Sequence, residues 1–129
     1  MQLRRYPKDY RQKPESVDSS EFIAFWADSK LVMAMDKQGV EWLLMGGFTL
    51  QKIEAGDDDV IRTHRGALVR INAVDRYMSR HYPDKTNPER YCTVHGREFP
   101  VSRGYKSNFE YTFQDQVSRH GFIRTAVAA

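Results

Sequence analysis

The feature that most constrains the fold is a rhythm of short apolar runs separated by polar turns. Phe22-Ile23-Ala24-Phe25-Trp26, Leu31-Val32-Met33-Ala34-Met35 and Val40-Glu41-Trp42-Leu43-Leu44 follow one another, closed by Asp28-Ser29-Lys30, Asp36-Lys37-Gln38-Gly39 and Gly46-Gly47. Each run has the length of a strand, and the spacing predicts an antiparallel meander with Trp26 and Trp42 in its core. A short helix is expected over Phe48 to Ala55, with Leu50 and Ile53 on one face and Gly56 as the stop. Asp57-Asp58-Asp59 then reads as a solvated loop.

The second half alternates in the same way. Val60 to Thr63 begins a strand, and Gly66 to Arg70 continues the pattern. Val74 to His81 places Val74, Arg76, Met78 and Arg80 on one side and Tyr77 on the other. Pro83 to Pro88 is a loop. Tyr91 to Val94 and Arg97 to Val101 flank His95-Gly96, a hairpin with a two-residue turn. Ser102 is placed to cap a helix. Tyr105, Phe109, Phe113 and Val117 form the apolar stripe of that helix, and Gly121 is its expected stop. Residues 1–20 are rich in charge, Ser and Pro and read as a flexible basic tail, with only Leu3, Tyr6, Tyr10 and Val17 able to pack. Phe122 to Ala129 is a mildly apolar tail that either docks on a sheet edge or frays.

At 129 residues the chain suffices for one domain with a core of its own. No apolar run approaches the ~18 to 20 residues that span a bilayer, and the N-terminus lacks the apolar region of a secretory signal. With Cys92 as the only cysteine, no internal disulfide is possible, which fits a reducing cytoplasm. The net charge of +3 conceals an asymmetry. Residues 21–61 carry three basic and eight acidic groups, whereas residues 62–129 carry twelve basic and six acidic. Such a chain either lies against a polyanion with its basic part or alternates its charges around a solvated surface.

Chemistry-bearing patterns are few. Cys92 and His95 stand in C-x-x-H spacing, but four ligands are needed for a structural zinc, and His64, His81 and His120 complete no set. The aspartate run lacks the alternation of a calcium loop. Gly46-Gly47 lacks the lysine of a phosphate loop, and no nucleophile elbow surrounds Ser102. Neither a catalytic constellation nor a cofactor or metal is therefore expected. What remains is a pair of arginine-bearing turns, Val60-Ile61-Arg62-Thr63-His64-Arg65-Gly66 with Ala67 to Ile71 behind it, and Phe99-Pro100-Val101-Ser102-Arg103-Gly104-Tyr105. An arginine on a short turn suits phosphate contact and bidentate reading of guanine. Equally, it can be a surface arginine bridging to carboxylates.

The order of these elements resembles the LytTR DNA-binding domain of bacterial response regulators. That family carries an Arg-x-His-Arg/Asn stretch, here Arg62-Thr63-His64-Arg65, followed by a Leu-Val pair, here Leu68-Val69, and a Pro-Val-Ser-Arg-like motif, here Pro100-Val101-Ser102-Arg103. The resemblance covers residues 21–113 and leaves 114–129 as the end of the C-terminal helix and a tail. It implies a mostly β fold of elongated antiparallel sheets, with a short helix after the third strand and a helix at the C-terminal end. It also implies loops that enter successive major grooves of double-stranded DNA. By position, Ser29 and Lys30, then His64 and Arg65, then Arg103 with Ser102 and Lys106 would touch DNA, with Arg65 and Arg103 as base readers. Arg62, Arg70 and Lys106 are expected on phosphates, Arg70 alternatively in a surface ion pair, and His64 either on a phosphate or buttressing its turn. Three departures stand out: Arg70 where the family often has Asn, a short opening turn, and no receiver domain, so phosphorylation control is not implied. The expected function is a stand-alone, sequence-specific regulator of transcription in the bacterial cytoplasm. It is expected to bind paired direct repeats, with a possible homodimer on DNA. The competing expectation is a protein-interaction module that pairs with and modulates a full-length regulator of this type.

Overall fold

The structure, a computed structural model, describes residues 1–7, 13–120 and 127–128. The predicted meander forms one side of a five-stranded sheet. Strands β3 (Phe22–Asp28), β4 (Leu31–Asp36) and β5 (Glu41–Leu43) are joined by β6 (Val60–His64) and β7 (Ala67–Arg70) in the order β5-β4-β3-β7-β6, and every pairing is antiparallel. Phe22 to Trp26 is apolar without alternation because β3 is covered on both faces. Ile23, Ala24 and Trp26 enter one core, and Phe22 and Phe25 the other. A bulge between Phe22 and Ala24 lets two successive residues, Ile23 and Ala24, share a core.

A second sheet closes the first core. It is built on the antiparallel strands β8 (Val74–Arg80), β9 (Glu89–Val94) and β10 (Arg97–Pro100). Helix α2 (Arg103–His120) adds Phe109 and Phe113, whose rings stack at 5.9 Å and meet Tyr77. Of the stripe expected along α2, Phe109 and Phe113 bury and Val117 packs against the same core, while Tyr105 stays half-buried outside it. The β9–β10 turn needs left-handed backbone at both positions, and His95 (φ 48°) and Gly96 (φ 79°) adopt it. The expected strict alternation of Val74 to Arg80 fails: Val74 and Tyr77 are both buried, because a bulge between Val74 and Arg76 shifts the parity. Cys92 is fully buried in β9, where burial pushes its thiol up to about 12; it is a small apolar core residue.

Beneath the other face of the large sheet lie helix α1 (Leu50–Gly56) and the N-terminal residues. Thr49 Oγ1 accepts from the Lys52 N–H at 3.2 Å and caps α1. Gly56 is the last helical residue rather than the one beyond it.

Residues 1–20 are not a tail in their described part. Strands β1 (Gln2–Arg5) and β2 (Glu15–Asp18) pair antiparallel, Leu3 is fully buried, and the Arg5 guanidinium lies 3.7 Å from the Trp42 ring centroid. Backbone bonds from Tyr6 N to Leu43 O and from Met45 N to Arg4 O add this hairpin to the large sheet. A few apolar residues suffice because strand geometry turns Leu3 inward while its polar neighbours Gln2 and Arg4 face water. At the other end, Gly121 and residues 122–126 and 129 lie outside the described residues. Strand β11 (Val127–Ala128) pairs parallel with β8, so that part of the expected tail docks on a sheet edge.

Candidate nucleic-acid interface

The β6–β7 turn is held from several sides. His64 Nδ1 accepts the Gly66 N–H at 2.8 Å, leaving Nε2 as the protonated nitrogen of the neutral ring. Burial, with the Arg62 charge second, pushes the His64 pKa down, which keeps the ring neutral. Arg62 spans the turn: Nη1 donates to the Arg65 carbonyl at 2.7 Å, and Nε donates to Glu54 Oε1 on α1 at 3.2 Å. The guanidinium expected on a phosphate is thereby engaged in fixing the turn. Arg65 itself is exposed, and its side chain has no hydrogen bond or ion pair among the described residues.

The second arginine turn lies directly alongside. After Pro100, the Val101 N–H donates to Arg90 O at 2.8 Å, which extends the β9–β10 edge by one residue. The next amide crosses to the other sheet, where Ser102 N donates to Thr63 O at 2.9 Å. Helix α2 then begins, with Tyr105 N donating to Ser102 O. Ser102 and Arg103 are exposed, and the Arg103 guanidinium is unpartnered among the described residues. Lys106 is half-buried, 3.9 Å from Glu110.

The opening turn reaches the same end of the large sheet. Ala27 N donates to Gly66 O at 2.9 Å, so the Ser29-Lys30 turn and the Arg65-Gly66 turn leave the sheet side by side. Ser29 takes a left-handed conformation (φ 58°), which permits reversal in two residues, and both Ser29 and Lys30 are exposed. The fold therefore brings together Ser29, Lys30, His64, Arg65, Ser102, Arg103 and Lys106.

Arg70 is not among them. It lies at the opposite end of the β6–β7 hairpin, buried, with Nε on Phe22 O at 2.7 Å, Nη2 on Ser19 O at 2.8 Å and a two-point pairing with Asp57 at 2.7 and 3.2 Å. Its expected phosphate contact is corrected, and so is the solvated reading of Asp57. The Asp57 carboxylate is buried and also accepts from Ser19 Oγ at 2.6 Å. Burial raises its pKa, but the bonds from Arg70 and Ser19 outweigh that and hold it at about 2. Two positions carried no readable signal: Glu54, eight residues before Arg62, and Asp57, thirteen before Arg70.

Among the described residues no group of His, Cys, Asp and Glu stands where it could hold a metal ion, and no helix is long and apolar enough to cross a membrane.

Two mostly antiparallel sheets around a shared core, a short helix beneath the larger one and a long helix against the smaller constitute the fold of LytTr DNA-binding domains. A solved structure with this fold is the LytTr DNA-binding domain of a methyl-accepting/DNA response regulator from Bacillus cereus. It aligns over 85% of this chain and 94% of its own length, at 22% identity and a TM-score of 0.64. Neither a protein-family model nor a curated protein matches the chain.

Proposed function

We propose that this protein is a sequence-specific double-stranded DNA-binding regulator of transcription. The observation that carries the reading is the Ser102 N–H to Thr63 O bond, which sets two exposed, unpartnered arginines on adjoining turns. Arg65 and Arg103 read the edges of neighbouring base pairs, each contributing about 1–3 kcal/mol of discrimination, within a row of loops that enters successive major grooves. Ser29, Lys30, Ser102 and Lys106 contact phosphates, which position the protein without specifying sequence. His64 offers its Nε2–H to a phosphate while Nδ1 keeps the turn in shape. Arg62 acts through the Arg65 carbonyl as a positioning residue. The name of the Bacillus cereus structure supports DNA as the partner. Two copies are expected on paired direct repeats, as a homodimer formed on the DNA.

Selection of bound duplexes from a random pool tests this, followed by salt titrations of the selected and a scrambled duplex. Tighter binding to the selected duplex at every salt concentration is expected. Equal affinities would remove the claim of specificity. A partner retained after nuclease treatment, together with no DNA binding, would replace it with a protein-interaction role.

A further inference from the structure

Three backbone bonds order the contacts just described: Ala27 to Gly66 joins the Lys30 turn to the Arg65 turn, Ser102 to Thr63 joins that turn to Arg103, and Val101 to Arg90 continues the series. The last bond leads past Arg103 and Lys106 to Arg80 and Arg90, which have had no role so far. There an open groove of about 910 Å³ runs between the first turn of α2 and the ends of β8, β9 and β10. Arg80, Arg90, Arg103 and Lys106 line it.

The charges in this groove are only loosely compensated. Arg80 meets Glu98 at 3.2 Å, with both side chains about half exposed. Its guanidinium lies over the Tyr91 ring, 4.5 Å from the centroid, and bonds with the Tyr82 and Tyr91 side chains, together with the Glu98 charge, hold it in place and charged without neutralising it beyond that one carboxylate. Arg90 and Lys106 each stand 3.9 Å from the same Glu110 oxygen, so one carboxylate answers two cations at a distance beyond a hydrogen bond. Tyr77 already donates to that oxygen at 2.7 Å. Glu89, the other acid of the groove, is taken up by Lys85. Exposed pairs of this kind contribute little, and exchanging a carboxylate for a phosphate replaces one charge-assisted bond with another.

Resting on the reading of this protein as a DNA binder, we propose that the groove seats the sugar–phosphate backbone of one DNA strand beyond the base pair that Arg103 reads. Arg80 and Arg90 each neutralise a phosphate, and Glu98 holds Arg80 in place until DNA displaces it. The groove is a fourth contact, which lengthens the footprint past the three turns and adds affinity without sequence preference.

The test uses the full chain and the duplex selected by the wild-type protein. For Arg80→Ala/Arg90→Ala, binding should weaken alike on selected and scrambled duplexes, and the slope of log K against log salt should shrink by about 1.8, at about 0.9 per phosphate. The base preference lost in Arg103→Ala should be intact. Arg76→Ala, at an exposed cation away from the groove, should not produce this twofold-contact change. Glu98→Gln supplies a gain that misfolding cannot mimic: it should bind both duplexes more tightly at low salt than the wild type, and more tightly than Glu41→Gln, which removes an exposed acid elsewhere. An unchanged slope in the double variant, or equal effects of Glu98→Gln and Glu41→Gln, would overturn the groove assignment while wild-type selectivity persists. Loss of selectivity in the wild type itself would instead overturn the DNA reading.

Discussion

The two ends of the β6–β7 hairpin carry an arginine each, and the two do opposite things. At the open end Arg70 is buried and fully engaged by Asp57 and two backbone carbonyls. At the turn Arg65 is exposed, and its guanidinium engages nothing among the described residues. The fold spends one cation on joining residues 19, 22, 57 and 70 and presents the other to solvent on a braced turn. Sequence cannot separate them, because Asp57 and Ser19 reach Arg70 only through tertiary structure. Substitution of Arg70 should therefore act on stability and substitution of Arg65 on recognition.

Arg70→Ala should have the largest effect. It leaves the Asp57 carboxylate buried without its counter-ion and should lower stability by about 3–5 kcal/mol in denaturant unfolding. Arg65→Ala, at an exposed site, should stay within about 0.5 kcal/mol of the wild type. Comparable losses at both positions would erase the distinction between the two ends.

Acid should expose the same difference. The folded Asp57 pKa of about 2 lies below the ordinary 3.8, so its contribution to stability is present above about pH 4 and lost as pH falls toward 2. Asp18, held at about 2 by the Ser20 hydroxyl and amide, shares this window, and Asp36 is also held low, where burial raises its pKa but bonds from Trp42 and two backbone amides outweigh it. Asp57→Asn should therefore flatten the unfolding profile over this range without abolishing its slope. A profile parallel to the wild type would place the acid sensitivity elsewhere.

At the turn end the expected changes are in recognition. Glu54→Gln loosens the hold of α1 on Arg62. By charge alone, removing an acid near DNA should tighten binding to every sequence. If Glu54 positions Arg65 through Arg62, the preference at the base read by Arg65 should fall as well, by less than about 1 kcal/mol, as for a half-exposed pair. Comparison of selected duplexes mutated at that single base distinguishes the two. Lys30→Ala should have the smallest effect: all duplexes weaken alike and the salt slope shrinks by about 0.9.

Much of the β architecture was legible because local chemistry and tertiary structure agree there. The meander, the His95-Gly96 hairpin and the stripe Tyr105, Phe109, Phe113, Val117 carry their periodicity in consecutive residues. The β1–β2 hairpin was not legible, since its stability comes from Leu3 and Arg5 docking on distant residues such as Leu44 and Trp42. Bulges at residues 22–24 and 74–76 shift the side-chain parity without a composition signal. At the interface, motif order placed Arg65 and Arg103 on their turns. Motif order did not show that Arg62 is engaged by Glu54 and the Arg65 carbonyl, or that Arg70 is internal, because both facts depend on long-range partners.

The central claim is that Arg65 and Arg103 read different base pairs from adjoining turns. The most direct test is to repeat the duplex selection with Arg65→Ala and with Arg103→Ala and compare the preferences position by position. Each variant should lose its preference at one base pair, the two positions should differ, and the remaining positions should match the wild type. Two variants that keep the full wild-type preference and only bind more weakly would contradict it, and would reassign both arginines to the phosphate backbone.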